Sequence, residues 1–151
     1  MKNANAIQRL TALMAFAALS LTAAGALAQD LPYTEGSVWS ITMIRVKPGM
    51  LDTYLRDVLP KRKQIYEEAK KQGLVLSTHT LSGNATGRDD FDLMFMDEFK
   101  NWAAFDGLDA KFRAISNKVV GPEDKQVQLM TKRVDVREII GDKVMQELIV
   151  K

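Results

Sequence analysis

The chain has 151 residues, 46% of them hydrophobic, with no cysteine, one histidine and a formal net charge of +2 at pH 7. Without cysteine there is no disulfide and no thiolate metal site, and a single histidine leaves only carboxylates as further ligands, so neither a metal centre nor another cofactor is expected. The small net charge gives no electrostatic footprint for nucleic acid.

Residues 1–28 have the three zones of a cleavable signal peptide. Lys2 and Arg9 form a basic start, residues 10–21 an apolar run, and Ala26-Leu27-Ala28 an A-x-A cleavage site that makes Gln29 the first mature residue. The apolar run is shorter than the roughly 20 residues that span a bilayer, so the expectation is an exported protein, periplasmic or secreted, with no membrane anchor after cleavage. Two of the 21 basic residues and none of the 19 acidic ones lie in this segment. The remaining 123 residues therefore carry 19 of each, a formal charge of zero. They suffice for one domain with its own core.

Residues 29–37, with Pro32 and Gly36 and no periodicity, read as a flexible leader to a domain of residues 38–151. Residues 38–47 are rich in β-branched and aromatic side chains and stop at Pro48-Gly49, a first strand. In residues 50–72, Leu51, Leu55, Val58, Leu59, Ile65, Tyr66 and Ala69 recur at three and four, the stripe of an amphipathic helix that Gly73 caps. Pro60 removes the bond to the Arg56 carbonyl, which predicts a kink or break near Leu59. Residues 74–81 and 91–96 read as second and third strands, joined by the polar turn 82–90 into an antiparallel hairpin.

From Asn101, a helix N-cap, Trp102, Phe105, Leu108, Phe112 and Ile115 recur at helical spacing, with Gly107 a weak point. Gly121-Pro122 ends that helix and starts another, with Glu123 and Asp124 in its first turn. Gly141 is either the C-cap of this helix or half of a tight turn with Asp142; the reading favours helix through residues 136–141. Residues 144–150 close the chain as a strand.

This order predicts an α+β fold: a ferredoxin-like βαββαβ sandwich with an extra helix before the last strand. In the first strand Trp39, Ile41 and Met43 alternate with Val38, Ile44 and Val46; in the third, Met94 and Met96 oppose Phe91, Leu93 and Phe95. Both sheet faces are thus apolar, and helices can cover only one. The other face needs a partner.

Element order, the strand-ending Val46-Lys47-Pro48-Gly49 and the stretch Phe99-Lys100-Asn101-Trp102-Ala103-Ala104-Phe105 resemble the dimeric α/β-barrel superfamily over residues 38–150. Its members include the antibiotic-biosynthesis monooxygenase, EthD and NIPSNAP groups. The resemblance implies two ferredoxin-like halves pairing sheet to sheet as a homodimer. It carries over no catalytic residue.

His79 is the candidate catalytic group, a proton shuttle on the second strand beside Val75, Ser77 and Leu81; the favoured plainer reading is a strand histidine bonded to water or backbone. Candidate ligand contacts are Trp39, Met43, Arg45, His79 and Trp102. Arg45 would meet an anionic head group, although an arginine at a strand end more often keeps its head in water. Trp102 and Phe105 are placed in the core by their spacing. Lys61-Arg62-Lys63 and the acidic run around Asp89 and Asp90 read as solvated charge. Together these features point to a small apolar or aromatic organic ligand. The alternatives are a structural module with a packed barrel interior, and a cofactor-independent monooxygenase or isomerase.

Overall fold

The computed structural model describes residues 31–87 and 89–151; the expected signal peptide and its cleavage site lie outside the described residues. Residues 33–151 form one compact unit. Its elements are β1 (Tyr33–Val46), a helix α1 built of three consecutive stretches (Leu51–Thr53, a π-helical turn Tyr54–Val58, and Leu59–Lys71), β2 (Ser77–Ser82), β3 (Leu93–Phe99), a 3-10 turn (Trp102–Phe105), α2 (Leu108–Val119), α3 (Glu123–Val136) and β4 (Arg137–Val150). The four strands form one sheet in the order β2-β3-β1-β4, and every neighbouring pair is antiparallel. With α1 crossing from β1 to β2 past β3, this is the ferredoxin-like arrangement, and α3 is the expected extra helix before the last strand.

Strand alternation decides which side chains meet the helices. In β3, Leu93, Phe95, Asp97 and Phe99 are buried while Met94, Met96 and Glu98 stay partly open. Val38, Ile44 and Val46 of β1 share the buried side. Two clusters form the core. Ile44, Leu93 and Phe95 pack on Tyr54 and Val58 of α1 and on Val136, whereas Phe99 and Val75 pack on Ile65, Ala69 and Ile115.

Four expectations change. β1 begins at Tyr33, so residues 33–37 are strand and not leader: Tyr33, Thr34 and Glu35 pair with Val150, Ile149 and Leu148. That partner lies more than a hundred residues away, beyond the reach of local pattern. β2 starts at Ser77 and β3 runs to Phe99, because Val75 turns into the core and Asp97 and Phe99 pair with Ser40 and Val38. The helix expected from Asn101 is interrupted: Gly107 adopts φ +64, a left-handed conformation that glycine takes without strain, and α2 starts only after it.

Finally, α3 stops at Val136 and residues 137–141 are strand, against the helical reading of 136–141. Ile139 and Ile140 favour the pleated surface. The pairing steps from Met43↔Gly141 to Ile44↔Ile139, which leaves Ile140 as the extra residue of a β-bulge. Gly141 is neither cap nor turn; a Cβ there would come within 3.0 Å of the Met43 methyl.

Near Leu59, where Pro60 predicts a kink or break, α1 is irregular but continuous. Ahead of the proline the helix widens into the π-helical turn, where the Leu59 amide bonds the Tyr54 carbonyl. Pro60 then falls in the first two positions of the next α-helical stretch, where no amide donor is needed.

Candidate functional site

The sheet brings together four of the five expected ligand contacts. Trp39, Met43, Arg45 and His79 lie on the face turned away from the helices, by the register that pairs Trp39 with Glu98, His79 with Met96 and Met43 with Met94. The rings of Trp39 and His79 are 6.1 Å apart. His79 is exposed and makes no hydrogen bond among the described residues, so no hydrogen-bond partner there holds its ring for proton transfer. The Arg45 guanidinium is committed elsewhere: it donates to the carbonyls of Gly87 (2.9 Å) and Asp90, fastening the β2–β3 loop. Asp90 and Asp92 also build that loop instead of standing free in solvent, Asp92 accepting the Val46 amide at 2.8 Å and Asp90 the Thr86 amide at 2.9 Å.

Trp102 stands apart on the 3-10 turn, 53% exposed, its ring 6.2 Å from Phe105. The core placement holds for Phe105, which packs on Phe99 at 4.7 Å, and fails for Trp102.

A second site lies on the opposite face, between sheet and helices. A cavity of about 200 Å³ is floored by Thr42 and Phe95 and walled by Tyr54, Val58, Arg62 and Tyr66 of α1, with Arg133, Arg137 and Asp142 closing the α3–β4 side. The π-helical turn matters here, since it contributes both Tyr54 and Val58. Widened turns of this kind re-aim side chains and recur at functional sites.

Arg62 is the fixed wall. Its Nη2 donates to both carboxylate oxygens of Asp97, at 2.8 and 2.7 Å, and its guanidinium lies between the rings of Tyr66 and Phe95, 4.0 Å from each. The Thr78 hydroxyl donates to the same carboxylate at 2.7 Å. The basic run 61–63 is therefore not a solvated face at its centre. Its signal was available, because Val58, Arg62 and Tyr66 follow one another at intervals of four on the stripe that faces the sheet. Tyr66 has its phenol pushed well above the usual tyrosine range, first by burial and then by the charge of Asp97, so at neutral pH it is a donor and not a base.

Arg133 and Arg137 bring two further guanidiniums to the cavity. They stand one helical turn apart in sequence, across the α3–β4 junction, and that junction aims both into the same space. Arg137 Nη1 donates to the Tyr54 hydroxyl at 3.1 Å. Burial, and next the like charge of Arg137, lower the Arg133 guanidinium from its ordinary value. A groove of about 490 Å³ shares Arg133, Arg137 and Ile139 with the cavity and continues outward past Met130, Val134 and Lys47.

No family model matches the chain, and no curated protein matches it. Among solved structures it is similar to a dimeric protein of unknown function and ferredoxin-like fold from Bacteroides fragilis, with 13% identity over 76% of this chain and 98% of that one and a TM-score of 0.43. The ferredoxin-like assignment rests on the strand order itself. Fold and site together define a ferredoxin-like α+β protein with a cationic cavity between sheet and helices. No group of three or more His, Cys, Asp or Glu side chains among the described residues is placed to hold a metal ion.

Proposed function

We propose that this chain is an exported small-molecule-binding protein that works as a homodimer of the α/β-barrel type, with one ligand site per subunit between sheet and helices. The observation that carries the ligand site is the cavity of about 200 Å³ between sheet and helices, in which the polar groups of Thr42, Arg62, Arg133, Arg137 and Asp142 converge with the rings of Tyr54, Tyr66 and Phe95. At about 30 Å³ for a water-sized group, it accommodates on the order of seven heavy atoms, the scale of a monocyclic compound. Titrating ¹⁵N-labelled protein with single-ring aromatic fragments is expected to move amide signals of Tyr54, Arg62 and Ile139. Shifts confined to Trp39, Met96 and His79 would place the site on the open sheet face instead. An absence of shifts anywhere would favour the structural module.

Export rests on residues 1–28 alone. No helix among the described residues is long and apolar enough to cross a membrane. N-terminal sequencing of the protein recovered from the producing cell's exported fraction is expected to begin at Gln29. Retention of Met1 would defeat the proposal, and Ala28→Trp should block cleavage at this point.

A further inference from the structure

We propose that the ligand of the cavity is an organic monocarboxylate, its head group held by Arg133 and Arg137 and its apolar body lying along the outer groove beside Met130, Val134 and Ile139. The inference rests on the cavity being a ligand site and adds the chemistry of what enters it.

The charges around the cavity carry the argument. Of its three guanidiniums, Arg62 is satisfied by Asp97. Among the described residues the ion pairs are Arg56–Asp52, Arg62–Asp97, Lys71–Glu68, Lys118–Glu68 and Lys132–Asp57, so Arg133 and Arg137 have no carboxylate partner. Of the nearby carboxylates, Asp142 on the cavity lining and Glu138 on the groove lining pair with neither. Arg137 spends one of its donors on Tyr54, and Arg133 makes no hydrogen bond among the described residues. Two half-buried guanidiniums side by side repel each other, and an arrangement of this kind persists where an anion offsets the repulsion. Arginine's fork of donors matches a carboxylate in the plane.

Shape completes the assignment. Arg133, Arg137 and Ile139 stand where the inner cavity meets the outer groove, and Met130 and Val134, both exposed, line the groove beyond them. A head group at the arginines therefore leaves an attached hydrocarbon beside Met130, Val134 and Ile139, in a groove that Lys47 and Glu138 also line. Inorganic anions would use the first feature and not the second.

The test compares octanoate, octanamide and acetate by calorimetry on the wild-type protein and on Arg133→Met, which keeps the stem of the side chain and removes its charge. Octanoate is expected to bind at least tenfold more tightly than octanamide, as charge-assisted hydrogen bonds to a paired guanidinium allow, and more tightly than acetate by the contribution of the groove. In Arg133→Met the preference for octanoate over octanamide should fall by roughly tenfold. The variant should melt at or above the wild-type temperature, since it loses a repulsive charge and no hydrogen bond. Equal binding of octanoate and octanamide, unchanged in the variant, would overturn the carboxylate assignment while leaving a ligand cavity in place. Binding of acetate as tight as octanoate would remove the groove from the site. If neither eight-carbon probe binds and no amide signal of Tyr54 or Arg62 moves, the cavity reading itself falls.

Discussion

Asp97→Ala is expected to lower the stability of the domain by about 3–5 kcal/mol, the cost of leaving one member of a buried ion pair without its partner. The pair is well inside the protein: the side chains of Arg62 and Asp97 are 12% and 4% exposed. Removing the carboxylate leaves the Arg62 guanidinium between two aromatic rings with no anion, and it strands the Thr78 hydroxyl that donates to the same group. The rings attract the cation, but each such contact is worth only about 0.5–2 kcal/mol and cannot replace the carboxylate. Against a total stability of about 5–15 kcal/mol the loss brings the domain near unfolding. Urea denaturation measures it directly, and a change below about 1 kcal/mol would show that water or a neighbouring group compensates the cation. Replacing both partners, as in Arg62→Met with Asp97→Leu, should recover most of the loss, because two apolar side chains avoid the desolvation cost that the pair carries.

The chain is also expected to sediment as a dimer at micromolar concentration, and Ile41→Asp is expected to make it a monomer. With the helices on one face of the sheet, Trp39, Ile41, Met43, Met94 and Met96 remain only half-buried on the other, and Leu81 and Met145 are exposed there at 53% and 51%. Full burial of a large apolar side chain contributes about 1.5–3 kcal/mol. If pairing buries the open half of each of these, the two subunits together gain roughly 10–20 kcal/mol, against about 4–15 kcal/mol for lost translational and rotational freedom. A two-fold axis sets the patch against its own copy, so an aspartate at position 41 meets a second one or an apolar wall. Charge does not oppose the pairing, since Glu98 and Lys143 put both signs on this face. Sedimentation equilibrium giving a monomer for the unchanged protein would remove the barrel. A dimer that survives Ile41→Asp but dissociates with Met130→Asp would move the interface to α3, where Val127, Met130 and Val134 also lie exposed.

What could be read without a structure was whatever repeats locally. The period of two in residues 38–46 and 91–96 revealed two apolar faces, and the stripe from Leu51 to Ala69 revealed the helix that covers one of them, because each pattern is complete within a few turns of chain. Trp39, Met43 and Arg45 could be placed on a common face by the same rule, whereas His79 joins them only through the register that pairs it with Met96. The arginine site could not. Arg62 meets Asp97 from 35 positions away and Thr78 from 16, and the chain alone places Arg62 on the helix stripe with Val58 and Tyr66 without showing which carboxylate arrives opposite it. Whether a charge is solvated or enclosed depends on which element arrives opposite it, and that is settled by sheet register. The same holds for the α3–β4 junction: residues 137–141 are strand because β1 lies alongside to pair with them, and that pairing turns Arg133 and Arg137 into one cavity. Backbone pairing over long separations leaves no mark in local composition, so the fold's two faces were visible in the residues and its charged interior was decided by tertiary contact.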